Sequence, residues 1–147
     1  MFEKQFHVAW AHLDANGHMA NTAYLDIVVD VRFMYFESCG FGPAEFRKHA
    51  IGPVVRRDEV DYLKELHLLE AFKVTLAIAG LAEDGSRFKL RNEIIRADNQ
   101  VAARITTLGG WFDLKARKLV APPEVLAASV RNLSRTEDYE VLKSSVR

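Results

Sequence analysis

A chain of 147 residues, 49% apolar and 27% charged, has enough material for one hydrophobic core, and a single domain over residues 1–147 is expected. Its 20 Lys and Arg balance 20 Asp and Glu, so no net field draws it to nucleic acid or an anionic membrane, and neither is expected as a partner. Cys39, the one cysteine, excludes an internal disulfide; no apolar run reaches the ~20 residues of a membrane span, and "MFEKQFHVAW" lacks a secretory h-region, so a cytoplasmic protein is expected.

Phe2, Phe6, Val8 and Trp10 fall on even positions with Glu3, Gln5 and His7 between them, the period of a strand with one buried face. A polar seam follows, "HLDANGHMANTAY", from His12 to Tyr24. Next, "TAYLDIVVDVRFMYFESCG" predicts a long helix stopped at Gly40. On that helix Asp26, Asp30 and Glu37 share a stripe about 40° wide, and most of the remaining surface is apolar apart from Arg32. Such a helix is wrapped by other structure. The stretch "GPVVRRDEVDYLKEL" is β-rich, and "FKVTLAIAGLAE" alternates as a strand. "EDGS" and "DNQ" are turn signals separating "RFKLRNEII" from "VAARITTLGGWFDL", where Gly109-Gly110 predicts a bulge or a close backbone approach. Pro122-Pro123 introduces a terminal helix, and the last dozen residues, mostly polar, are expected to fray.

Strands joined by such short turns are antiparallel. The elements therefore predict an α+β fold: one antiparallel five-stranded sheet wrapped around one long central helix. The uncovered face and sheet edges, together with zero net charge, point to self-association as a homodimer or homotetramer.

His12, Asp14, Gly17, His18, Asn21 and Tyr24 spell H-x-D-x-x-G-H-x-x-N-x-x-Y between the first strand and the long helix. With the order of elements over Phe2 to Leu126, this resembles the hotdog-fold acyl-CoA thioesterases of the 4-hydroxybenzoyl-CoA thioesterase-like family. The resemblance implies hydrolysis of an acyl-CoA thioester to a carboxylic acid and CoA, with no metal and no organic cofactor. It implies Asp14 as general base or nucleophile and the backbone amide at Asn21 as the donor that polarises the carbonyl. His18 is a third catalytic candidate whose role differs among relatives; Gly17 and Tyr24 are candidate substrate contacts, and Arg87 and Lys89 candidate contacts to the CoA phosphates.

The chemistry of the residue types agrees. Thioester hydrolysis needs a base or nucleophile at the carbonyl carbon and donors for the oxygen that becomes an anion. A helix start offers unpaired N–H groups and a positive dipole end, and Asn21 and Thr22 suit a helix cap. Plainer readings stand beside this one. Asp14 and Asn16 are also ordinary turn formers, and His12, Asp14 and His18 are zinc-compatible residue types in no common zinc spacing. Cys39 reads as a small buried hydrophobe, and Glu59, Asp61 and Glu65 as solvated or interface charges on the second strand that rank as second-choice candidates for the catalytic carboxylate. The rival from another class is a non-catalytic module on the same fold that binds acyl-CoA or acyl-carrier protein.

Overall fold

The computed structural model describes residues 1–146. Phe2–His7 form β1, with Phe2 and Phe6 turned to the core. A single 3-10 turn at Trp10–His12 and the polar seam lead into α1, Asn21–Ser38. A short helix α2, Pro43–His49, precedes four long strands: β2 (Ile51–Tyr62), β3 (Ala71–Ala82), β4 (Arg87–Arg96) and β5 (Val101–Asp113). The chain closes with β6 (Lys118–Val120), α3 (Glu124–Arg131) and β7 (Arg135–Leu142). The main path of the sheet is β1-β3-β4-β5-β2, antiparallel throughout, with β6 pairing β5 and β7 running parallel to β3.

The helix occupies the place its sequence requires. Ile27, Val28, Val31, Tyr35 and Phe36 of α1 share one buried cluster with Val74, Leu76 and Ile78 of β3, Leu90 and Ile94 of β4, and Ile105 of β5. Each such side chain contributes about 1.5–3 kcal/mol on burial, which outweighs the weak helix propensity of the β-branched residues in α1.

Arg32 is the exception on the apolar surface of α1, and the structure gives it a place. It is 7% exposed. Its Nε and Nη2 donate to Asn92 Oδ1 at 3.0 and 2.9 Å, and Nη2 also donates to Thr107 Oγ1 at 2.7 Å. The Thr107 hydroxyl in turn donates to Asp58 Oδ1 at 2.5 Å. Burial pulls the guanidinium down to about 10, with Asp58 opposing, so it stays charged at neutral pH. A polar chain thus ties the central helix to β4, β5 and β2.

Three features depart from the sequence expectation. The sheet has seven strands, not five. Of the terminus expected to fray, Arg135–Leu142 form β7, and Arg147 lies outside the described residues. As a strand at the margin of the sheet β7 buries little apolar surface, and it is held by ladder pairing to β3, by Arg91 on Asp138 and by Lys89 on Glu140. The third is α2, seven residues too short to declare a helical period. Its Phe46 packs against Phe41 and Phe36. At Gly109 the expectation of close approach is met: a Cβ there would lie 2.5 Å from the Val54 carbonyl oxygen and 2.8 Å from Phe88 Cζ. The irregularity itself sits on the partner strand, between Val55 and Arg57 of β2.

Candidate active site

The seam folds back on itself. Leu13 bridges Met19, the Asp14 amide donates to the His18 carbonyl at 2.9 Å, and the Gly17 amide donates to the Asp14 carbonyl at 3.2 Å. Gly17 has φ +77°, a left-handed conformation that a side chain resists. The Asp14 carboxylate takes part in this turn: Oδ1 accepts from the Asn16 amide at 2.8 Å and from the His18 amide at 3.2 Å. Among the described residues Oδ2 has no hydrogen-bond partner. Asp14 is therefore a turn former on one oxygen and available for chemistry on the other.

The segment after β2 clamps the seam from the far side. The Met19 amide donates to the Leu66 carbonyl at 2.8 Å, and His18 forms an antiparallel bridge with His67. Met19 and Leu66 are buried, which directs their neighbours His18, Glu65 and His67 outward by strand alternation. His18 Nε2 lies 2.5 Å from Glu65 Oε2, and the His18 and His67 rings meet edge to face at 5.1 Å.

Where α1 begins, the cap is Ala20, with no side-chain cap bond; Asn21 and Thr22 are instead the first helical residues and their side chains are exposed. The Ala20 amide is taken by the His12 carbonyl at 2.7 Å. The amides of Asn21 and Thr22 have no acceptor among the described residues. A helix start without a capping side chain leaves donors and the positive end of the dipole open. The Asn21 carbonyl accepts from the Tyr62 hydroxyl at 3.0 Å, and Tyr24 packs edge-on to Tyr62 at 5.3 Å. Burial raises the pKa of the Tyr24 phenol, and Tyr62, Glu70, Asp14 and Glu65 raise it further, so the ring stays neutral.

These parts enclose one open groove of about 310 Å3. Asp14, His18, Asn21 and Tyr24 line it with Met19 on one side, and residues 62 to 65 on the other. Gly17 is not among the lining residues; it shapes the turn. The Nδ1 of His12 accepts from the Ala9 amide at 3.2 Å and is spent locally. Arg87 and Lys89 lie away from the groove, against the C-terminal segment: Arg87 Nε donates to Ser145 Oγ at 3.3 Å and Lys89 Nζ pairs with Glu140 at 2.9 Å. Tyr62, Leu63 and Lys64 are groove residues that the sequence reading left out, and Glu65, expected on the second strand, stands beyond it, since β2 ends at Tyr62. The signal available was the Glu65-Leu66-His67 alternation, one buried residue between two polar ones.

A curled antiparallel sheet around one long helix, with its groove at the helix start, is the hotdog fold. The description "thioesterase-like superfamily" matches residues 8–130, and the chain belongs to that family. No curated protein gives a significant match. Among solved structures, the chain is similar to a hypothetical protein from Staphylococcus aureus in complex with CoA, at TM-score 0.83 and 23% identity over 97% of this chain and 87% of that one. It is also similar to a 1,4-dihydroxy-2-naphthoyl-CoA thioesterase from Synechocystis, at TM-score 0.79 and 19% identity over 90% and 96% of the two chains. The BH1999 gentisyl-coenzyme A thioesterase aligns at TM-score 0.76 and 18% identity over 85% and 98%. No helix among the described residues is long and apolar enough to cross a membrane.

Proposed function

We propose that the protein hydrolyses an acyl-CoA thioester to the free carboxylic acid and CoA. The observation that carries this reading is the groove shared by the Asp14 carboxylate and the uncapped first turn of α1. Family membership and the CoA-bound S. aureus neighbour favour a CoA ester as substrate.

In this reading the thioester carbonyl oxygen points at the Asn21 amide, where donors and helix dipole stabilise the negative charge that develops on it. Asp14, through its unengaged Oδ2, either takes a proton from the attacking water or attacks the carbonyl carbon itself. The tetrahedral intermediate then expels CoA as the thiolate. In the nucleophilic route a water must afterwards cleave the acyl–Asp14 anhydride. His18, held by Glu65, forms a polar wall of the groove, and Tyr24 and Tyr62 offer the acyl group an aromatic one. Arg87 and Lys89, which face the C-terminal segment within one chain, stay candidate phosphate contacts on the condition that a second copy brings them to the groove.

The test is release of free CoA, followed with a thiol-reactive dye, across short, long and aromatic acyl-CoAs. Turnover of at least one ester is expected. No turnover, with acyl-CoA still raising the melting temperature, would replace the hydrolase with an acyl-CoA binding module.

A further inference from the structure

Beside the groove, two elements far apart in sequence bring together two imidazoles and a carboxylate. The His18–His67 bridge places those residues opposite each other on one face. Glu65, two residues before His67 with the buried Leu66 between them, projects from the same face. One ligating atom from each of His18, Glu65 and His67 lies within 4.8 Å of the others. The backbone under the cluster is fixed by the 2.8 Å bond from the Met19 amide to the Leu66 carbonyl.

We propose that His18, Glu65 and His67 form a binding site for a divalent transition-metal ion of the zinc class. Two imidazole nitrogens and one carboxylate are the donor set of an open three-ligand zinc site. With metal–ligand bonds of about 2.0–2.2 Å, tetrahedral ligands stand roughly 3.4 Å apart. The 2.5 Å separation of His18 from Glu65 therefore widens, and the other two separations, each within 4.8 Å, adjust by rotation of exposed side chains over a fixed backbone. An outer partner is already present. His67 Nδ1 lies 3.5 Å from Glu70 Oε1, and Glu70 is itself held by its 3.4 Å pair with Arg96. A small rotation that closes this carboxylate on Nδ1 to hydrogen-bond distance fixes the tautomer and leaves Nε2 to the metal. Hard cations such as calcium and magnesium demand more oxygen ligands than this cluster provides. His18, Glu65 and His67 keep 37%, 54% and 56% of their side-chain surface exposed, so the ion has a path in and a free fourth position. Because His18 and Glu65 also line the groove, an ion here stands at its rim, and binding it is independent of whether the groove hydrolyses a thioester.

The test is calorimetric titration of the metal-free protein with zinc, with cobalt in a parallel visible-absorption titration, on wild type, His67→Ala and Glu65→Gln. One zinc per chain and the visible bands of tetrahedral cobalt are expected in wild type. At least a tenfold loss of affinity is expected in each variant, with unchanged melting temperature in metal-free buffer and no response to magnesium. Absence of saturable zinc binding, or equal affinity in all three proteins, would overturn the proposal. Neither result depends on CoA release, so the metal site and the hydrolase reading fail separately.

Discussion

Asp14 serves the turn with one oxygen and offers the other to the groove, and the two roles respond differently to substitution. Asn keeps an acceptor at Oδ1 for the amides of Asn16 and His18 but is neither base nor nucleophile. Ala removes both functions. Asp14→Ala should therefore lower stability by about 1 kcal/mol through the lost acceptor, while Asp14→Asn stays within a few tenths; thermal or urea unfolding of the pair checks this. Equal stability of the two variants would mean that the turn does not use the side chain. At this scale the seam was legible because its chemistry is local: Asp14, His18, Asn21 and Tyr24, close together in the chain, all reach one groove. Glu65 ranked only as a second-choice carboxylate on the second strand, because the contact that brings it to the groove is with His18, 47 positions away in the chain (65 minus 18). Asn21 was misassigned as a cap for the opposite reason: Asn is a good cap by type, yet the extended residue here is Ala20.

Between elements, the structure tests two joints. At Gly109, β5 passes so close to Val54 and Phe88 that a methyl group has no room. Gly109→Ala should cost about 1–3 kcal/mol, read from the urea midpoint; a neutral result would show that β2 can move away without loss. The double glycine was readable as punctuation inside a strand, although the sequence did not reveal that the irregularity belongs to β2. The second joint is β7. Arg91 donates to both oxygens of Asp138, at 2.8 and 3.0 Å, and this hydrogen bonding holds the carboxyl well below the usual range. A depressed pKa in the folded state means a contribution to stability that is present above about pH 4 and is lost as pH falls below it. Protection factors in β7 should therefore drop between about pH 4 and pH 2, before those of β3; hydrogen exchange resolves the two strands. Simultaneous loss would mean that β7 is secured by its ladder alone. The polar composition that suggested fraying is that of a marginal strand held by ion pairs, a distinction that needs the partners Arg91 and Lys89 in view.

For the whole molecule, the sequence led to the right architecture because its dominant signals are large: a long apolar helix and four long strands leave few ways to cover the helix. Arg32 marks where that reasoning stopped. A lone cation on an apolar helix is explained only once Asn92, Thr107 and Asp58 are seen to converge on it from three strands. The folded chain still exposes apolar surface: Val29 and Met34 on α1 are 41% and 39% accessible, and Val55 and Tyr62 on the terminal strand β2 are 53% and 49%. An unpaired strand edge beside apolar side chains invites a second copy. Light scattering at micromolar concentration should give twice or four times the chain mass of 16.6 kDa. A monomer at that concentration would leave the groove to be completed by one chain and remove the route by which Arg87 and Lys89 could reach CoA.

The central claim is that Asp14 carries the hydrolysis of an acyl-CoA thioester. Its most direct test is the steady-state rate of CoA release by wild type and Asp14→Asn, on the best ester of the panel and at matched melting temperatures. Loss of a general base costs about 10²–10⁴ in rate, and a fall of that size in kcat/KM with unchanged stability is the predicted result. Equal rates in the two proteins would contradict it.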